Sequence, residues 1–234
     1  MSSWTFFLIN KNIFDNIFIG DNMNINRELK NYIDKNIFPE YSKNDDAHNL
    51  EHIKYVIKRS IKFAKNIPNI NMDIVYTVAA YHDIAHHIDS KNHEKISSEI
   101  FEKDNKMKEF FTIDEINIIK EAIYDHRASS TNEPRNIYGK IVSSADRNTD
   151  IDGILRRTYG YRIKKNPNAS LDEIIEESRL HIIDKFGQDG YAKEKMYFKD
   201  EEYDKFLKEV LDITKDKKVF KERYIKINNI KENR

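Results

Sequence analysis

Seven of the eight histidines in this 234-residue chain fall between His48 and His126, one of them in the doublet His82-Asp83. Scattered surface histidines do not gather in this way. Imidazole and carboxylate together are the ligand set of a hydrolytic metal centre. Whatever fold the chain adopts must bring these groups to a common point. His48 and His52 stand four apart, ahead of Val56. His82-Asp83 opens His82-Asp83-Ile84-Ala85-His86-His87. His93 precedes Ser97 and Ser98, His126 follows Ala122-Ile123, and Asp146 closes Ser144-Ala145-Asp146-Arg147.

The spacing around them is helical. Val75, Val78, Ala79 and His82 share one face, as do Ile119, Ala122, Ile123 and His126, and Val142, Ala145, Asp146 and Thr149. Asp83 and Asp146 then point toward a core, where an unpaired carboxylate is costly and is normally paired or metal-bound. A lone histidine on an apolar face is more often a satisfied core residue than a ligand. His-Asp is a common dipeptide, and His48 with His52 also fits a helix-surface pair. The joint pattern outweighs these readings, because five helical segments each turn a His or Asp inward.

In their order, these segments resemble the HD superfamily of metal-dependent phosphohydrolases. His52 with Val56 is similar to the family's first ligand helix, and His82-Asp83-Ile84-Ala85 to its name-giving motif. His93 with Ser97 and Ser98 resembles the next helix of members with a second metal. Ala122-Ile123 with His126 and Ala145-Asp146-Arg147 resemble its closing motifs. The likeness spans roughly residues 45 to 160. It implies an all-α, HD-type helical bundle with an interior metal site. One divalent ion would be held by His52, His82, Asp83 and Asp146. Asp83 would bridge to a second, held also by His93 and His126. Mn, Fe, Mg, Co and Zn all suit such ligands.

Two positions depart from the family pattern. Ala85 replaces the usual Gly, and His86 stands where many members have Lys. His86 near neutral pKa would meet a phosphate oxygen or protonate a leaving group, so Asp83, His86 and Arg147 are the catalytic candidates. His87 reads either as a partner behind a ligand or as a helix-end residue facing water. His48 reads either as a hydrogen-bond partner of a ligand or a contact to substrate, or as a helix-surface or capping residue. Arg127, Arg156 and Arg157 are candidates for offsetting phosphoryl charge, and His48 and His87 join them as substrate-binding candidates. Arg156 to Lys165 holds five basic residues and no acidic one, a pattern that also fits a solvated face. Tyr159 and Tyr161 fit either base stacking or plain packing. His181 reads as structural.

Lys plus Arg equal Asp plus Glu at 40 each, so no global field favours nucleic acid or an anionic membrane. No apolar run is long enough to span a bilayer. There is no cysteine, which suits a reducing, cytoplasmic setting. Residues 23–234 read as one domain with a C-terminal helical extension. Residues 1–22 carry two apolar runs without a basic start or a cleavage site, so they read as a strap over the bundle or as a translated leader before Met23. Asn26 to Ile37 reads as a helix. Asp45 or Asp46 is expected to cap the helix of His52, and Thr112 with Glu115 and Ser170 with Glu173 form capping boxes. Ser129 to Pro134 reads as an entrance flap.

The expected activity is hydrolysis of a phosphoester or phosphoanhydride bond in a small, nucleotide-like substrate by metal-activated water. Two rivals remain: a dinuclear iron oxygenase, and a non-catalytic module that senses a nucleotide. The expected partner is that small phosphorylated molecule. Self-association into a homo-oligomer is left open.

Overall fold

The computed structural model describes residues 25–45, 47–147, 149–192 and 196–230; the N-terminal segment 1–22 lies outside them. Among the described residues there are ten α-helices and no strand. None of these helices is long and apolar enough to cross a membrane. The chain divides into two compact units. The first comprises residues up to 127 with 132–145, and the second comprises 128–131 and the chain from 146 onward.

The first unit is arranged around one helix. Its α-helices are α1 (Arg27–Asn36), α2 (Leu50–Ala64), α3 (Met72–Tyr81), α4 (His93–Lys103), α5 (Ile113–Asp125) and α6 (Ile137–Ala145). In α3 every residue from Ile74 to Tyr81 is buried. A helix that is apolar all round needs neighbours on every side, and α3 packs against α1, α2, α4, α5 and α6. The surrounding helices are amphipathic; α2 buries Ile53, Val56, Ile57 and Ile61 on one face. Close approach of α5 and α6 depends on Gly139, where a Cβ would lie 2.9 Å from Pro134 Cβ and 3.4 Å from the Ala122 backbone.

Side chains fix the helix starts. The Thr112–Glu115 capping box forms at α5 as the sequence predicts. The cap of α2 is Asn49 and not Asp45, while Asp46 lies outside the described residues: the Asn49 side chain accepts from the backbone N–H of Glu51 and His52. Asp45 instead closes a turn one step upstream, accepting from the N–H groups of Ala47 and His48. His48 therefore precedes the helix that carries His52. The helix expected to run through Asp146 to Thr149 stops at Ala145.

The second unit contains α7 (Ile151–Lys165), α8 (Leu171–Phe186), α9 (Glu201–Lys215) and α10 (Lys217–Ile227). They share a hydrophobic core of their own that includes Leu155, Ile182, Phe206, Val210 and Phe220. The Ser170–Glu173 capping box starts α8. Inside the core, the hydroxyls of Ser178 and Tyr224 are hydrogen-bonded at 2.8 Å.

Candidate metal centre

Helix α3 ends at Tyr81, and His82 is its C-cap. From there the backbone bonds run three residues apart, Ile84 N–H to Tyr81, His86 N–H to Asp83 and Ile88 N–H to Ala85. This tight run of turns aims His82 and Asp83 back into the unit. Both are buried, with Asp83 only 2% exposed. Most of the other candidate ligands also sit at helix termini. His93 is the first residue of α4 and His126 the C-cap of α5. His52 lies in the first turn of α2. Ligands at helix ends can converge where the bodies of the helices are held apart by their own width.

Three of the rings are fixed in the same manner. His82 Nδ1 lies 2.8 Å from the Ala79 carbonyl, His93 Nδ1 3.0 Å from that of Ser90, and His126 Nδ1 2.6 Å from that of Ile123. Each partner is three residues upstream. The proton then resides on Nδ1, and Nε2 presents its lone pair inward.

Those lone pairs meet Asp83. Its Oδ1 is 3.1 Å from His93 Nε2 and 3.3 Å from His126 Nε2. Its Oδ2 is 3.4 Å from His82 Nε2 and 3.7 Å from His52 Nε2. One carboxylate thus divides four imidazoles into two pairs, one pair per oxygen. His93 Nε2 and His126 Nε2 are themselves 3.3 Å apart. Two acceptor lone pairs at that separation repel unless a proton or a cation lies between them. A donor set of neutral imidazoles and a carboxylate fits a divalent metal. In particular, ligand atoms of Asp83, His93 and His126 lie within 4.8 Å of one another.

The electrostatics agree. Burial alone would raise the Asp83 carboxyl. Where the rings carry a second proton on Nε2 in place of a cation, the charge of His82 and hydrogen bonds from His126 and His93 outweigh it and hold Asp83 well below the usual carboxylate range. Burial lowers His126. In His93 burial is outweighed by the hydrogen bond to Asp83, and the pKa rises.

The remaining candidates of the first unit lie around this centre or turn away from it. His86 stacks on His48 with ring centroids 3.5 Å apart. His48 Nδ1 is 2.7 Å from Asp45 Oδ1, and His86 Nδ1 is 3.9 Å from Asp45 Oδ2. Burial first, and then the charge of His48, push His86 down to about 4, not to the near-neutral value expected for a phosphate-binding cation. At neutral pH it is an uncharged imidazole. His87 is exposed and turned toward Asn44, whose Oδ1 accepts from its backbone N–H at 2.9 Å and lies 3.0 Å from its Nδ1. Arg127 is held by both carboxylate oxygens of Glu94 at 3.2 Å and by the Lys91 carbonyl. Asp146, Arg147, Arg156 and Arg157 belong to the second unit. There Asp146 is half-buried, Arg147 is buried, and Arg156 and Arg157 are exposed.

Two residues that shape the centre are absent from the sequence reading. Asn44 Nδ2 donates to the carbonyls of Asp83 and His48, both at 3.0 Å, and so ties the His-Asp turn to the approach of α2. Arg59 is a buried cation in α2 that donates to the Ala145 carbonyl at 2.8 Å, the last residue of α6 and a favourable place for positive charge. A signal for Arg59 exists, since it lies seven residues after His52 on the same helix face. Asn44 has none, because its partners are distant in sequence.

A family model described as HD domain matches residues 49–149. No curated protein and no solved structure matches the chain.

Proposed function

The chain carries an HD domain over residues 49–149, and on that footing we propose that it is a metal-dependent phosphohydrolase acting on a small, nucleotide-like phosphoester or phosphoanhydride. The observation that supports this best is the division of four histidines between the two oxygens of Asp83. In this reading Asp83 would help hold two divalent ions, one with His93 and His126 and the other with His52 and His82; Asp146 is assigned to the latter from the sequence pattern alone. Such ions, when bound, lower the pKa of water from 15.7 to about 7 and so supply a nucleophile.

The protein's own contribution is orientation. The carbonyls of Ala79, Ser90 and Ile123 lock three rings in the ligating tautomer. Asn44 keeps the His-Asp turn in register. His86, neutral and stacked on His48, accepts a proton or a hydrogen bond from a substrate hydroxyl or a water. Arg147 and Arg156 are the cations assigned, from the sequence pattern alone, to phosphate oxygens.

The test is phosphate release from a panel of nucleoside mono-, di- and triphosphates by manganese-loaded protein, with Asp83→Ala as control. Release that disappears in the variant supports the reading. No release from any member, or oxygen uptake by the iron-loaded protein without phosphate release, would sink it.

A further inference from the structure

The second unit has a cavity of about 410 Å³ between α7 and α8, within the usual size of small-molecule pockets, roughly 300–1,000 Å³. Arg157, Tyr161, Arg162 and Lys165 line it from α7, and His181 and Lys185 line it from α8. No carboxylate is among its lining residues. The spacing explains the convergence: 157, 161 and 165 repeat every four residues on one helix, and 181 and 185 do so on the other.

A merely solvated basic face would spread its charges toward water. Here four lysine and arginine side chains share one concavity. Arg162 is offset by Glu177 at 2.7 Å. Among the described residues, neither Lys165 nor Lys185 forms an ion pair with a carboxylate within 4.0 Å, although Lys185 feels the Asp146 carboxylate at longer range. The cations crowd His181, whose pKa is lowered by burial first and then by the charges of Lys185 and Arg162. Tyr161 is 59% exposed. Its ring centroid is 5.7 Å from Lys165 Nζ and 6.0 Å from Arg162 Cζ, so a flat aromatic surface sits beside the cationic wall.

We propose that this cavity binds the phosphate chain of a nucleotide, with Tyr161 packing against the base. Phosphate oxygens match guanidinium and ammonium donors, and aromatic faces accept any base. The inference shares its ligand class with the phosphohydrolase reading but not its chemistry. A chain that binds without turnover would carry the same cavity.

Calorimetric titration of the full chain with ATP, tripolyphosphate and adenosine tests it, in wild type and in Asp83→Ala. ATP and tripolyphosphate should bind both proteins, and adenosine neither. Arg157→Ala with Lys165→Ala, two exposed positions, should weaken both anions at least tenfold. Tyr161→Ala should weaken ATP alone. Because a variant can misfold, NMR titration of wild-type His181 gives a second reading: tripolyphosphate should raise its pKa. Unchanged affinity in the double variant, binding lost in Asp83→Ala, no binding at all, or an unmoved His181 each overturns the proposal.

Discussion

In the first unit, His82, His93 and His126 present Nε2 on short, two-torsion side chains, each braced through Nδ1 by a carbonyl three residues upstream. In the second, Arg157, Lys165 and Lys185 reach the cavity on long stems from the faces of α7 and α8. The first arrangement fixes atoms to within the tolerance that metal coordination demands, because each ring is tied to backbone. The second fixes only the sign of the charge. It suits a ligand that is recognised as a polyanion and can be met by several side-chain conformations. The units also pack differently. The first surrounds one wholly buried helix, and the second has a core shared among amphipathic helices.

The sharpest way to break this contrast is Asp83→Ala. It removes the group on which the two histidine pairs converge and should eliminate bound metal together with roughly a thousandfold or more of turnover. The second-unit cavity should keep its anion affinity. Metal retained near the wild-type level, read by elemental mass spectrometry, would show that Asp83 is not the hub.

Asn44→Ala comes next. It leaves the Asp83 and His48 carbonyls without their side-chain donor and should cost about 1–3 kcal/mol in chemical denaturation. Turnover should fall further than metal content, since Asn44 positions the turn without ligating. Equal loss of both would make it a ligand-shell residue.

The pH dependence of stability sharpens the account of His86. Folded, its pKa is about 4; unfolded, it takes up a proton near 6.5. Between these values the unfolded chain binds more protons, so stability falls as pH falls, by at most about 1.4 kcal/mol per pH unit and less where solvent screens the ring. His86→Ala lacks this slope. With chelator present, the stability of wild type relative to the variant should therefore decline from pH 6.5 to 4. A constant difference would contradict the burial and charge assigned to His86.

The smallest effect is expected far from either site. Tyr224→Phe breaks the buried hydroxyl pair with Ser178 and should cost about 1 kcal/mol, with metal content unchanged. A change in metal content would show that the second unit's core influences the centre.

Much of this was legible in the chain. The capping boxes at Thr112 and Ser170 were, because both partners lie within four residues. One face of α3, that of Val75, Val78 and Ala79, was also legible from apolar periodicity, whereas the burial of its other side was not. The convergence of His52, His82, Asp83, His93 and His126 followed from the order of motifs. Periodicity misled where it was extended past a helix end: Asp146 and Thr149 continue the α6 pattern in sequence but not in structure. Sequence alone does not select the cap of α2, because Asp45, Asp46 and Asn49 are all competent acceptors and only geometry selects Asn49. Arg59 shares the helix face of His52 in sequence, but its Ala145 partner, distant in sequence, is visible only in the structure.

Native mass spectrometry of the full chain reconstituted with manganese tests the central claim most directly. An Asp83 carboxylate that splits four histidines into two pairs predicts two ions per chain, falling to one in His126→Ala. A single ion in wild type, unaffected by His126→Ala, would contradict it.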